Sequence, residues 1–163
     1  MSLTRTFSLL SALFLFTLLT GCLDSSTSTS VNFDNEEDIE FLKEKATEEG
    51  VESTENGLLY KIIEEGDGER PDWESTVRVY YKGMLYSGQV FDSGRSREKE
   101  QDPAEFALDR VIWGFGEGVQ MIREGGKIEL YIPTELGYGA FPPPGPIYPG
   151  AALFFEVELV EVL

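Results

Sequence analysis

The 163-residue sequence contains no histidine, and that absence removes a large part of enzyme chemistry. Ser-His-Asp and Cys-His catalysis are excluded, as are metal sites ligated by imidazole. A single cysteine, Cys22, rules out both a disulfide within the chain and any CxxC motif. Basic residues are scarce: 13 Lys and Arg stand against 30 Asp and Glu, for a net charge of −17. With no basic stripe to neutralise phosphates, the balance argues against a nucleic-acid partner. The chemistry left to the chain is that of carboxylates, tyrosines, lysines, backbone groups and the shape of an apolar pocket. The expected complement of metals and cofactors is none.

What is present is ordinary for a globular body. Hydrophobic residues make up 41% of the chain, and its length suits one domain with a sizeable core. The front end is different. Arg5 follows the amino terminus, and residues 6–21 carry no charge and many Leu and Phe, a signal-peptide pattern. As a membrane span it falls short of the ~20 residues a bilayer core needs. Its ending, Leu19-Thr20-Gly21-Cys22, resembles a bacterial lipoprotein box, in which the cysteine carries lipid. Residues 1–21 are therefore read as a lipoprotein signal peptide. Residues 22–33, rich in Ser and Thr, are read as a tether with too little apolar surface to fold. Leu23 after the cysteine, rather than Asp, favours the outer membrane among lipoproteins. The expected location is the bacterial cell envelope, facing the periplasm, with the membrane touched through lipid alone.

Residues 34–50 predict a short acidic helix. Asp34 is its candidate cap, Glu36 and Glu37 lie in the first turn, and Ile39, Leu42 and Ala46 share one side before Gly50. Residues 51–163 form the main body, and from Gly57 the hydrophobic period moves toward two. Val77, Val79 and Tyr81 alternate with Arg78 and Tyr80; Ile128, Leu130 and Ile132 alternate with Glu129 and Tyr131. Leu153, Phe155, Val157 and Leu159 alternate with Phe154, Glu156 and Glu158. Strands are also expected near 58–64, 89–92 and 104–108, with one short helix at about 116–123 stopping at Gly125-Gly126. Strands beside strands, without a βαβ rhythm, predict an α+β fold: an antiparallel sheet wrapped around one short helix.

The stretch at 112–122, IWGFGEGVQMI, places three glycines in five positions. A phosphate loop needs a Lys-Ser or Lys-Thr pair, and a dinucleotide site needs a third glycine where Val119 stands. Helical geometry accounts for it better. Phe115, Val119 and Ile122 are four and three apart and stack on one face, and glycines let that face approach a sheet closely. Packing alone would explain this; so would a helix presenting Phe115 at the floor of an apolar cavity.

Five blocks occur in order: residues 79–85 (VYYKGML), 90–93 (VFDS), 111–119 (VIWGFGEGV), 135–139 (ELGYG) and 153–159 (LFFEVEL). Together they resemble the FKBP-type peptidyl-prolyl isomerases over about residues 51–163. Residues 41–50 with 57–61 resemble the bacterial branch related to macrophage infectivity potentiators, without its long helical dimerisation arm. The resemblance implies Tyr81 and Asp92 as a polar pair in the pocket wall, and Phe91, Phe106 and Phe155 as aromatic walls. It implies Val111 and Ile112 at the rim, the Ile112 N–H holding a ligand carbonyl. It implies Tyr138 as a hydroxyl meeting the substrate backbone, and Ile147 as an apolar flap residue. Tyr81, Asp92, Tyr138 and Phe155 are the candidate catalytic residues. Either Arg95 or Arg97 is expected beside Tyr81 and Asp92. Phe115 stands at the floor where the family often has Trp, which implies weaker macrolide binding with a usable proline pocket; Trp113 is expected at the rim, partly exposed. The loop at 141–150, FPPPGPIYPG, reads as a rigid turn, with a ligand for a proline-binding module as the alternative.

The implied activity is isomerisation of X-Pro bonds in unfolded or exported polypeptides by a monomeric protein. Rotation must break amide resonance against ~18–20 kcal/mol, and the planar, charge-separated amide is better solvated than the twisted one. An apolar pocket therefore favours the twisted state, with no nucleophile, metal or cofactor. The alternative is a non-catalytic chaperone or scaffold module that grips proline. A hydrolase built on a carboxylate pair is the third class.

Overall fold

In a computed structural model describing residues 35–93 and 102–163, seven strands form one antiparallel sheet. They are β1 (Glu52–Ser53), β2 (Leu59–Glu64), β3 (Thr76–Leu85), β4 (Val90–Asp92), β5 (Ala104–Ala107), β6 (Lys127–Ile132) and β7 (Leu153–Val162). The order is β1-β2-β6-β7-β3-β4, with β5 also on β3. Two α-helices, α1 (Glu36–Ala46) and α2 (Trp113–Val119), complete the α+β class expected from the strand periodicity. The two-residue β1 is too short to leave a hydrophobic period and was not anticipated.

The central pair is β3 and β7, in one register from Val79 opposite Leu159 to Leu85 opposite Leu153, with a one-residue shift between Arg78 and Val79 before Val77 meets Val162. Val77, Val79, Leu153, Phe155, Val157 and Leu159 are buried on the inner face. On the outer face Arg78 donates to Glu161 at 2.7 Å, and Lys82 lies 3.7 Å from Glu156. Such exposed cross-strand pairs hold register more than they add stability. On the edge of β3 away from β7, β5 pairs with Thr76–Val79 and β4 with Gly83–Met84. Tyr81 therefore sits between two short strands, over the inner face.

Both helices differ from expectation. The structure starts α2 at Trp113, three residues early, and ends it at Val119 with Gln120 as C-cap. The glycines lie inside the helix. Of the three, only Gly114 precedes the expected start, its low helix propensity obscuring the first turn. The close approach to the sheet is as read: a Cβ on Gly118 would stand 2.2 Å from Leu130 Cδ2, and one on Gly114 2.6 Å from Ile132 Cγ2. Only a bare backbone fits so close. Phe115, Val119 and Ile122 are all buried, though Ile122 lies beyond the helix end.

The first helix has Asn35 as N-cap with no side-chain cap hydrogen bond, and ends at Ala46 rather than near Gly50; Asp34 lies outside the described residues. Its packed side is rotated from the apolar reading. Ile39 is 37% exposed and Ala46 is exposed, whereas Asp38 is buried and Phe41, Leu42 and Lys45 are half-buried. The reason is tertiary. Phe41 meets Tyr131 edge-on at 6.0 Å, and Tyr131 stacks on Phe154 at 4.9 Å. The Lys45 ammonium lies 5.6 Å from the Tyr131 ring centre. Tyr131 and Phe154 alternate with the residues that face α2, so α1 covers the opposite face of the sheet.

Candidate active site, an aromatic cavity above the second helix

Between α2, the inner face of β3 and β7, and the segment following β6 lies a cavity of about 440 Å³. Phe115 forms its floor, carried by the close seat of α2 on β6. Phe155 rises from β7, 5.3 Å from Phe115 between ring centres at 75°. Tyr81 and Phe106 stand 5.4 Å apart at 70°, and Phe91 meets Phe155 at 5.5 Å and 85°. These are edge-to-face contacts, the arrangement that the ring quadrupoles favour. Gly83 allows the walls to close: a Cβ there would sit 2.7 Å from Phe91 and 2.8 Å from Phe155.

The polar groups are few. The Tyr81 hydroxyl donates to Asp92 Oδ2 at 2.7 Å. Burial, then the hydrogen bond to Asp92, pushes the Tyr81 phenol well above its ordinary value. Tyr138 is also raised, first by burial and then by the Asp92 charge. Among the described residues the Tyr138 hydroxyl has no hydrogen-bond partner, and the Ile112 N–H has no backbone acceptor. Two donors unpaired among the described residues therefore border an apolar cavity, as required to bind a peptide carbonyl. Ile112 is held where it is because its own C=O accepts the first bonds of α2, from Phe115 and Gly116 at 3.1 Å.

Tyr81, Phe91, Asp92, Phe106, Val111, Ile112, Phe115, Tyr138 and Phe155, singled out in the sequence, come together around this one cavity. Ile147 does not line it, packing instead against the hydrophobic core. Trp113 is 56% exposed, tilted against Trp73 at 4.7 Å, and also off the lining. Cys22, Arg95 and Arg97 lie outside the described residues. Arg110 lines the cavity and was not anticipated, although it directly precedes the rim residues Val111 and Ile112. Its side chain is 84% exposed, with Nε 3.9 Å from Asp109 Oδ1.

A sheet wrapped on a short helix, six aromatic rings and donors unpaired among the described residues define a cavity suited to an apolar side chain and its flanking backbone. A sequence model of the FKBP-type peptidyl-prolyl cis-trans isomerases matches residues 68–160, and the chain belongs to that family. It is 45% identical over 130 residues to the isomerase FkpA of Escherichia coli (strain K12), covering 79% of this chain and 47% of that protein. To the isomerase Mip of Coxiella burnetii it is 39% identical over 122 residues, covering 75% and 52%. The crystal structure of a peptidyl-prolyl cis-trans isomerase from Pseudomonas syringae pv. tomato superposes with a TM-score of 0.69 at 33% identity, covering 77% of this chain and 90% of that one. The chain spans about half the length of the curated relatives it matches.

Proposed function

We propose that the chain catalyses cis-trans isomerisation of X-Pro bonds in unfolded or exported polypeptides, the prolyl ring entering the aromatic cavity. One observation carries this: an apolar, ring-walled space bordered by two donors unpaired among the described residues, the Ile112 N–H and the Tyr138 hydroxyl. The walls desolvate the planar amide and so favour the twisted state, while the donors hold the flanking backbone as the bond turns. Tyr81 and Asp92 support the wall as a hydrogen-bonded pair. Uncatalysed, the rotation takes tens to hundreds of seconds, so a cis-to-trans assay on a proline peptide reads the activity directly. Acceleration is the expected result. Binding without acceleration would leave a proline-gripping chaperone instead. The same cavity would admit macrolide inhibitors.

No group exchanges a proton with substrate in this mechanism. Carboxylates ordinarily titrate near ~4 and tyrosine near ~10, and Tyr81 and Tyr138 are held higher still. The rate is therefore expected to stay level between about pH 6 and 8. A step near neutral pH that disappears in Asp92→Asn would overturn the desolvation mechanism. Stability has its own window. Burial, then hydrogen bonds to Glu129 and Asp38, raises Tyr131 and Tyr148 in the fold above the ordinary 10.0. A raised folded-state value means that their contribution is complete below about pH 10 and is lost as the pH climbs past it. Thermal midpoints should fall on that alkaline side.

The mature chain is proposed to be a lipoprotein modified at Cys22, tethered in the bacterial envelope and facing the periplasm from the outer membrane. The motif at Leu19-Thr20-Gly21-Cys22 supports it. Metabolic fatty-acid labelling should mark the native protein and not Cys22→Ser, which should also leave the membrane fraction; an unlabelled native protein ends this reading. A net charge of −17 works against self-association, and a monomer is expected by light scattering of the lipid-free form, a stable dimer being the contrary result.

A further inference from the structure

Among the described residues Asp38 is the one buried charged side chain, 3% exposed. Both carboxylate oxygens are engaged: Oδ1 accepts the Ala152 N–H and Oδ2 the Tyr148 hydroxyl, each at 2.7 Å. The same turn of α1 makes two more ties. The Tyr86 hydroxyl donates to Glu37 at 2.7 Å, and Asn35 Nδ2 donates to the Pro149 carbonyl at 3.4 Å. Three of these four bonds reach residues 148–152, the closing leg of the proline-rich loop before β7.

That leg is joined to the cavity. The Gly150 N–H donates to the Gly139 carbonyl at 2.9 Å, closing the loop at its base. The Gly139 N–H in turn donates to Thr134 at 3.0 Å, and Phe141 to the Tyr138 carbonyl at 3.3 Å. Prolines at 142, 143, 144, 146 and 149 stiffen the span between. Tyr138, adjacent to Gly139, lines the cavity. A buried carboxylate is a costly way merely to glue a helix to a sheet, since apolar residues serve as well or better. What a carboxylate adds is two directed bonds at one point.

We propose that Asp38 is a positioning residue for the active site: by clamping Tyr148 and Ala152 it sets the loop base at Gly139–Gly150 and so the placement of the Tyr138 hydroxyl. The first helix is then part of the catalytic architecture. The inference rests on the reading of Tyr138 as a donor to the substrate backbone.

The test uses the full chain with Asp38→Ala, Asp38→Asn, Tyr148→Phe and Tyr138→Phe, and two readouts. In Asp38→Ala, amide hydrogen exchange at Gly139, Gly150 and Ala152 should accelerate about tenfold, with β6 amides unchanged. The kcat/KM for a proline peptide should fall about fivefold. Asn keeps an acceptor for the Ala152 N–H and should restore most of both. In a Tyr138→Phe background, Asp38→Ala should lower kcat/KM no further, which a general loss of structure would not produce. Unchanged exchange at Gly139 and Gly150, or losses that multiply in the double variant, would overturn the proposal. If Asp38→Ala does not fold, Tyr148→Phe, which removes one hydroxyl, carries the same cycle. If the wild-type protein shows no turnover, the isomerase reading falls, and the exchange measurements alone decide whether Asp38 holds the loop.

Discussion

Leu130→Ala is expected to cost about 2–5 kcal/mol of folding stability, the range for emptying a buried leucine site. Leu130 is fully buried on β6, directly beneath α2. The fit there is tight enough that a Cβ on Gly118 would stand 2.2 Å from Leu130 Cδ2, 2.7 Å from Cδ1 and 3.0 Å from Cγ. Gly118→Ala alone should also destabilise, by about 1–3 kcal/mol, because the helix must lift or the leucine must shift in a packed core. The two changes should not add. With Leu130 cut back to alanine, the new methyl at 118 enters the space left behind, and the double variant should lose less than the sum. Urea denaturation of the four proteins measures this. A loss under about 1 kcal/mol for Leu130→Ala, or strict additivity, would mean that α2 is not seated on Leu130 as described. Activity should follow stability here, since Phe115 rides on the same helix and forms the cavity floor.

Tyr138→Phe should behave in the opposite way. The side chain is 36% exposed and its hydroxyl has no partner among the described residues, so removing it strands no buried group. Stability should change by less than about 0.5 kcal/mol. The proposed role predicts a loss of about tenfold in kcat/KM, the worth of one hydrogen bond of roughly 1.4 kcal/mol in the transition state. Full activity would remove Tyr138 from the mechanism, and a protein that unfolds like Leu130→Ala would make it a core residue. The pair of variants thus separates the wall that shapes the cavity from the donor that works within it.

Much of this architecture can be read from local pattern. The alternation of Ile128, Leu130 and Ile132, and of Leu153, Phe155, Val157 and Leu159, places the inner faces of β6 and β7, because side chains in a strand alternate whatever they pack against. The aromatic residues of the cavity were recognisable through ordered motifs, and the fold gathers Tyr81, Phe91, Phe106, Phe115 and Phe155 around one space. Ile147 shows where motif order stops helping. It occupies the right segment, but the loop seats it on the core rather than on the cavity.

Two other matters depended on distant partners. In α2, the close approach to a sheet expected of its glycines is made against Leu130 and Ile132 of β6, and the helix starts three residues earlier than the local pattern suggested. In α1, the apolar count pointed to Ile39, Leu42 and Ala46, of which only Leu42 is half-buried, while contact is also made by Phe41 and a buried aspartate whose partners lie 110 and 114 positions along the chain. By itself, then, the sequence determined the class of sheet, the absence of imidazole chemistry and the roster of aromatic rings, since these follow from composition and short-range period. Only the tertiary structure decided which face α1 buries, where α2 begins, and that Arg110 and Asp38 belong with the cavity and its supports. Burial and hydrogen-bond satisfaction are properties of pairs of residues, and those pairs are made by the fold rather than by neighbours in the chain.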